Sequence, residues 1–287
     1  MPEANNSIDA LLPPEMAKRA EQIGVAKTRL DTLSLMALAI LAGAFVAFGS
    51  MFSVVVTAGA EGLLPYGVIR LLGGLVFSLG LVIVGGAELF TGNNLMVMAC
   101  ASGRVGAREV LRAWGLVYIG NFVGAIGIAL LVFLAEGYAH GGGAVGMTAL
   151  VGADGKAALS AMQAFIHGIL ANVLVCLATW LCYSARTTTD KILAIVFPIA
   201  AFSAAGFEHS IANMYLLTFA LLTKLGAPYT FWDAIGKTPS LFSHLHVLGA
   251  LLNLVWVTLG NMAGGIMVGI TYWFIYLRNA GTRTRTE

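Results

Sequence analysis

Charge is what this sequence has least of. Its 287 residues include 16 Lys or Arg and 14 Asp or Glu, 10% charged against 59% hydrophobic, whereas soluble domains carry about 25% charged residues. Together with a mean hydropathy of +0.86, this excludes an ordinary soluble domain and makes the bilayer the expected solvent. Cysteine is scarce too. Cys100, Cys176 and Cys182 lie in or beside apolar runs, have neither C-x-x-C nor metal-ligand spacing, and read as small hydrophobes. A formal net charge of +2 gives no argument for nucleic acid or an acidic partner. Enzyme signatures are also missing. No H-E-x-x-H or G-x-S-x-G occurs, which leaves metal hydrolysis and a nucleophile elbow without support. Gly152-Ala153-Asp154-Gly155-Lys156-Ala157 echoes a phosphate loop, but lacks the glycine spacing and the Ser or Thr after lysine. The sequence thus points away from an enzyme, and no cofactor is expected.

Long uncharged runs are what the chain does have. An apolar helix needs about 20 residues to cross the hydrocarbon core. Asp31 to Glu61 encloses one such run, and Ala113 to Ala135, Ala157 to Ala185 and Val247 to Leu277 are three more. Two further spans are interrupted. Leu71 to Ala87 and Leu89 to Gly103 are separated by Glu88, and Ile192 to Phe207 and Ser210 to Thr223 by Glu208 and His209. The order is whole, broken, whole, then whole, broken, whole. This predicts an all-α membrane protein of six transmembrane helices, built as two three-helix repeats that enter the membrane from opposite sides.

The residues repeat as well. Gly86-Ala87-Glu88-Leu89-Phe90-Thr91-Gly92-Asn93 answers Gly206-Phe207-Glu208-His209-Ser210-Ile211-Ala212-Asn213, with Gly, Glu and Asn in register. Gly120-Asn121-x-x-Gly124 likewise answers Gly260-Asn261-x-x-Gly264. Paired interruptions mark a substrate path, because non-helical backbone persists at membrane depth only where protein buries it or a cavity hydrates it. Glu88 and Glu208 are assigned a structural role at the breaks, since unpaired anions there would repel an anionic guest. Asn93, Asn213, Asn121 and Asn261 are expected to satisfy the interrupted backbone or bridge helices.

Basic residues set the orientation. One side would hold Lys18, Arg19, Lys27, Arg29, Arg104, Arg108, Arg112, Arg186, Lys191, Arg278, Arg283 and Arg285, the other only Arg70, Lys156, Lys224 and Lys237. Both termini are therefore expected in the cytoplasm. The organisation reads as a cytoplasmic N-terminal segment 1–32, with an amphipathic helix along the membrane surface, a channel domain 33–277 and a cytoplasmic tail 278–287.

The two break motifs, Glu88-Leu89-Phe90-Thr91-Gly92-Asn93 and Gly206 to Met214, resemble the paired signatures of the formate/nitrite transporter family. The resemblance extends to Leu11-Leu12-Pro13-Pro14-Glu15-Met16-Ala17, Phe77-Ser78-Leu79-Gly80-Leu81 and Ile169-Leu170-Ala171-Asn172. It implies an aquaporin-like subunit, a homopentamer in the bacterial cytoplasmic membrane, and a separate path for small monovalent anions through each subunit. Formate is the leading substrate, with nitrite or hydrosulfide as the alternative. The resemblance also implies that Leu79, Leu89, Phe90, Val175 and Phe202 narrow the path. Because the segment from Phe77 to Glu88 is about two residues shorter than the family pattern, a shift of over half a helical turn, Leu79 and Leu81 compete for one of these places; Leu79 is named.

Moving a small carboxylate through a dry constriction poses an electrostatic problem. An unpaired ion in a low-dielectric medium faces an idealised cost on the order of 20 kcal/mol. Protonating an acid of pKa about 3.7 at neutral pH costs only roughly 4 to 5 kcal/mol, so the neutral acid is the cheaper permeant. His209 can lend a proton near neutrality, although a histidine there could equally cap the second half-helix. Thr91, at the matching break, could select its tautomer or act as an ordinary N-cap. Asn172 could donate to the anion beside His209 or bond between helices. Lys156, on the outer side, could gather anions by long-range attraction. A rival from another class is a haem-binding electron carrier ligated by His167 and His209.

Overall fold

The computed structural model describes residues 10–279, and among them every regular element is helical. In chain order α1 spans Pro13–Thr28, α2 Thr32–Thr57, α3 Tyr66–Ile83, α4 Phe90–Asn93, α5 Val97–Ala101, α6 Ala107–Leu134 and α7 Ala144–Ala157. There follow α8 at Ala161–Ser184, α9 at Thr188–Ala204, α10 at Ser210–Gly226, α11 at Tyr229–Ile235 and α12 at Val247–Tyr276. Arg283, Arg285 and most of the expected tail lie outside the described residues.

Helices α2, α3, α6, α8 and α12 are each long and apolar enough to cross a membrane. Polar residues cap the starts of three of them. Asp31 accepts the Leu33 and Ser34 N–H groups ahead of α2, Ser160 and Gln163 cap α8 reciprocally, and His246 Nδ1 accepts the Gly249 N–H ahead of α12. Such caps satisfy donors that an apolar helix leaves open. Helix α3 is longer than the uncharged run predicts. It begins at Tyr66 and takes in Arg70, whose Nη2 and Nε donate to the carbonyls of Ser203 at 2.5 Å and Ala204 at 3.2 Å. Its 18 residues rise about 27 Å.

Two tight helix pairs frame the molecule, α2 with α6 and α8 with α12. A Cβ on Gly124 would press against the Ile40 carbonyl oxygen, and one on Gly264 against that of Ile169. Small residues here let backbones touch, the means by which helices gain dispersion where lipid offers no hydrophobic drive. Between the pairs α3 packs on α9, with Phe77 and Phe202 edge to face at 5.5 Å.

Two segments differ from expectation. The stretch between Ala135 and Ala157, in which the uncharged runs place no helix, contains the 14-residue helix α7, which buries Val145, Ala149, Leu150 and Ala153 and packs on α10. Its glycines weaken helix propensity, and tertiary burial outweighs them. The apolar face of α1 covers protein: Met16, Ala17 and Ala20 pack with Met98, Trp180 and Leu277. Arg19 adds a hydrogen bond to the Tyr183 carbonyl at 3.1 Å.

Candidate functional site

Both interruptions are built the same way. The chain leaves α3 through Gly86 at φ +91° and leaves α9 through Gly206 at φ +76°, left-handed backbone that glycine adopts without a Cβ clash. Asn121 on α6 accepts the Phe90 N–H at 2.9 Å and donates through Nδ2 to the carbonyls of Ala39 at 2.7 Å and Glu88 at 2.9 Å. Asn261 on α12 accepts the Ser210 N–H at 2.9 Å and donates to the carbonyls of Gly168 at 2.8 Å and Glu208 at 3.0 Å. Each asparagine therefore joins two helices to one break and satisfies backbone groups that lipid could not.

The glutamates obey the same rule. Asn93 Nδ2 donates to Glu88 Oε2 at 2.7 Å, and Asn213 Nδ2 to Glu208 Oε2 at 2.6 Å. Each carboxylate also holds a lysine: Lys27 Nζ lies 3.0 Å from Glu88 Oε2, and Lys156 Nζ lies 2.6 Å from Glu208 Oε1. Glu88 and Glu208 are 5% and 3% exposed, and carboxylates that deep need a countercharge. Lys27 was legible in the sequence only as one more cytoplasmic charge. The missed signal was the pair of buried glutamates, which calls for two lysines.

Two cavities approach the centre and share no lining residue. The wider, about 430 Å³, is bordered by Arg70, Phe77, Lys156, His167, Phe202 and His209. The narrower, about 170 Å³, is bordered by Lys27, Leu81, Leu89, Gly92, Asn93 and Val175. Between them lies a buried hydrogen bond of 2.9 Å joining Thr91 Oγ1 and His209 Nε2. His209 is the N-cap of α10, where its Nδ1 accepts the Ala212 N–H at 3.2 Å. With Nδ1 accepting, the neutral ring carries its proton on Nε2 and donates it to Thr91. Phe202 covers the ring at 5.8 Å.

A family model described as formate/nitrite transporter matches residues 14–274. The chain belongs to the formate/nitrite transporter family. The formate channel FocA of Escherichia coli strain K12 is 44% identical over 280 residues, 96% of this chain and 98% of that protein. A solved structure of a pentameric formate channel with formate bound superposes with a TM-score of 0.82 at 41% identity, covering 86% of this chain and 98% of the other. A second, of an FNT family ion channel, gives 0.75 at 29%, covering 91% and 98%. This member of the formate/nitrite transporter family is thus a multi-pass membrane protein of the channel and transporter class.

The expected site residues of this transporter-family chain do not all fall where the sequence put them. Leu89 and Val175 border the narrow cavity, and Phe202 the wide one. Leu79 does not: it is 41% exposed, on the outer face of α3 with Leu72, Leu75 and Ile83, while Leu81, 8% exposed, borders the narrow cavity. Leu81 follows Phe77 by four residues and so shares its inward face. Phe90 is also corrected. Its ring packs edge to face on Trp114 and Tyr118 and borders neither cavity. Phe77, which nothing in the sequence marked as part of the path, lines the wide cavity opposite Phe202.

The polar residues need similar revision. Thr91 sits within α4, whose N-cap is Leu89, so it is not an N-cap. Asn172 borders neither cavity, and its Nδ2 already donates to Asn94 Oδ1 at 2.8 Å and the Asn261 carbonyl at 2.6 Å. No amide hydrogen is left for an anion, because helix-to-helix bonding uses both. Lys156 is no loop cation: it lies in the last turn of α7 and binds Glu208. The haem reading loses one of its two ligands, since both ring nitrogens of His209 are engaged.

Proposed function

We propose that this chain is a formate channel in which His209 and Thr91 lie at the point where the permeating anion must lose its charge. The observation that carries the reading is the buried Thr91–His209 hydrogen bond between two separate cavities. The names of the relatives support the substrate, and the likeness to a pentameric channel supports a homopentamer with a path in each subunit. In this reading the two halves are inverted repeats, helices two and five of the six are the broken ones, and both termini face the cytoplasm of a bacterium. The wide cavity then opens outward. Leu81, Leu89 and Val175 close the cytoplasmic end of the path, and Phe77 and Phe202 the outer end. Glu88, Glu208, Asn93 and Asn213 hold the breaks without meeting the substrate's charge.

The hydrogen bonds set a condition on proton lending. A neutral imidazole that gave up its Nε2 proton would become an anion, which a dry site disfavours. Transfer to formate therefore requires a second proton to arrive at Nδ1, and that proton displaces the Ala212 N–H from the ring. Formate takes the Nε2 proton, crosses as formic acid, and releases a proton to water on the far side; the ring is left with its proton on Nδ1, and loss of that proton with uptake of another at Nε2 restores the capping tautomer, so that the net movement is one formate with one proton. Asn172 serves this cycle indirectly, by fixing α8 against α12 and the 3-10 turn after α4. Lys156 serves it by neutralising Glu208.

The test is formate, nitrite, hydrosulfide and chloride flux in proteoliposomes across pH. Wild-type protein is expected to pass formate faster as pH falls, and His209→Asn to lose that pH dependence. An unchanged profile in the variant would remove His209 from the proton path. Nitrite flux well above formate flux would shift the substrate within the family and leave the site intact.

A further inference from the structure

Arg70 lies on the wall of the wide cavity. It is a partly buried side chain near the start of α3. The two groups it donates to, the carbonyls of Ser203 and Ala204, are neutral. Among the described residues no Asp or Glu lies within ion-pair distance of it. The other charged or titratable groups bordering this cavity are Lys156, Glu208, His167, His209 and Tyr66. Lys156 and Glu208 cancel one another at 2.6 Å. His209 caps α10 through an accepting Nδ1, and His167 Nδ1 donates a hydrogen bond to the Gly206 carbonyl. The positive charge of the cavity that no carboxylate neutralises is therefore that of the Arg70 guanidinium.

We propose that Arg70 is the anion-docking residue of the wide cavity: it recruits a small carboxylate by an unneutralised guanidinium charge, a task for which Lys156, bound to Glu208, is poorly placed. A guanidinium has five N–H donors. Two hydrogen bonds to the end of α9 fix its plane, and the remaining donors match the two oxygens of a carboxylate. The same bonds fix the end of α9 next to Phe202, so docking and the entrance to the dry segment share one anchor. This inference rests on the reading that the wide cavity lies on the anion's route.

The experiment compares wild-type protein with Arg70→Gln and Arg70→Lys in proteoliposomes, measuring saturable formate flux at two ionic strengths, together with line broadening of 13C-formate by the purified proteins. Arg70→Gln should raise the half-saturating formate concentration by roughly three- to tenfold, keep most of the maximal rate, and flatten the dependence of half-saturation on salt. Arg70→Lys should recover most of the lost affinity. If Arg70→Gln left half-saturation unchanged, or lowered only the maximal rate, or if Arg70→Lys were as poor as Arg70→Gln, docking would be overturned in favour of a role confined to holding α9. Line broadening separates the two readings. If wild-type protein moved no formate but still broadened its line through Arg70, the channel reading would fail and the docking site would stand. If it moved formate with no dependence on Arg70 in either measurement, only the docking site would fall.

Discussion

At the residue scale, the geometry of α3 gives a sharp contrast between two leucines two positions apart. Leu81 borders the narrow cavity with Leu89 and Val175, whereas Leu79 points outward. Leu81→Ala is expected to raise formate flux by widening a dry passage, and Leu79→Ala to leave it at the wild-type rate, both read in the proteoliposome assay. The opposite ranking would mean that α3 is rotated in the working channel. The place of His209 at the start of α10 was legible from the sequence, because it stands where the uncharged run is interrupted. What could not be read was its direction. That Nδ1 serves as a helix cap, so that Nε2 faces Thr91, depends on where the Ala212 N–H points once α10 has formed. Asn172 illustrates the reverse case: its type suited an anion, but Asn94 and Asn261, distant in sequence, had already taken its hydrogens.

At the scale of elements, the uncharged runs located all the long helices, because hydropathy reports directly on lipid exposure. They did not find α7. Its burial against α10 is tertiary, and its glycines mimic a turn. Glu88, Glu208 and the glycines Gly86 and Gly206 fall in the non-helical segments that precede α4 and α10, whereas the start of α3 was set too late because Arg70 was counted as a boundary. In the structure its charge folds back onto α9 and the helix continues through it. The glycines on the packed faces carry a quantitative expectation. Gly264→Val places side-chain atoms against the backbone of α8 and should destabilise by about 1–3 kcal/mol, the usual cost of overpacking. Gly127→Val, where a Cβ meets nothing within 4 Å, should melt like wild type. Thermal unfolding in detergent distinguishes them; equal melting temperatures would show that α8 and α12 can part without penalty.

At the scale of the whole molecule, the two halves repeat one another's hydrogen bonds but differ in where their cations originate. Lys156 belongs to a helix inside the second half, whereas Lys27 arrives on α1, ahead of the first membrane-crossing helix. The opening helix is thus the electrical counterweight of the first break. A protein truncated past Lys27 would strand Glu88, and an orphaned buried carboxylate costs about 3–5 kcal/mol. Such a truncated chain is expected to unfold at lower temperature, and Glu88→Gln within it to restore much of the loss, because the amide carries no charge to strand. If both shortened proteins melted alike, α1 would count only for its apolar contacts with Met98, Trp180 and Leu277. A fusion or cleavage that displaces this leading segment should therefore be felt first at the centre of the subunit, beside Thr91, rather than at the surface where the cut was made.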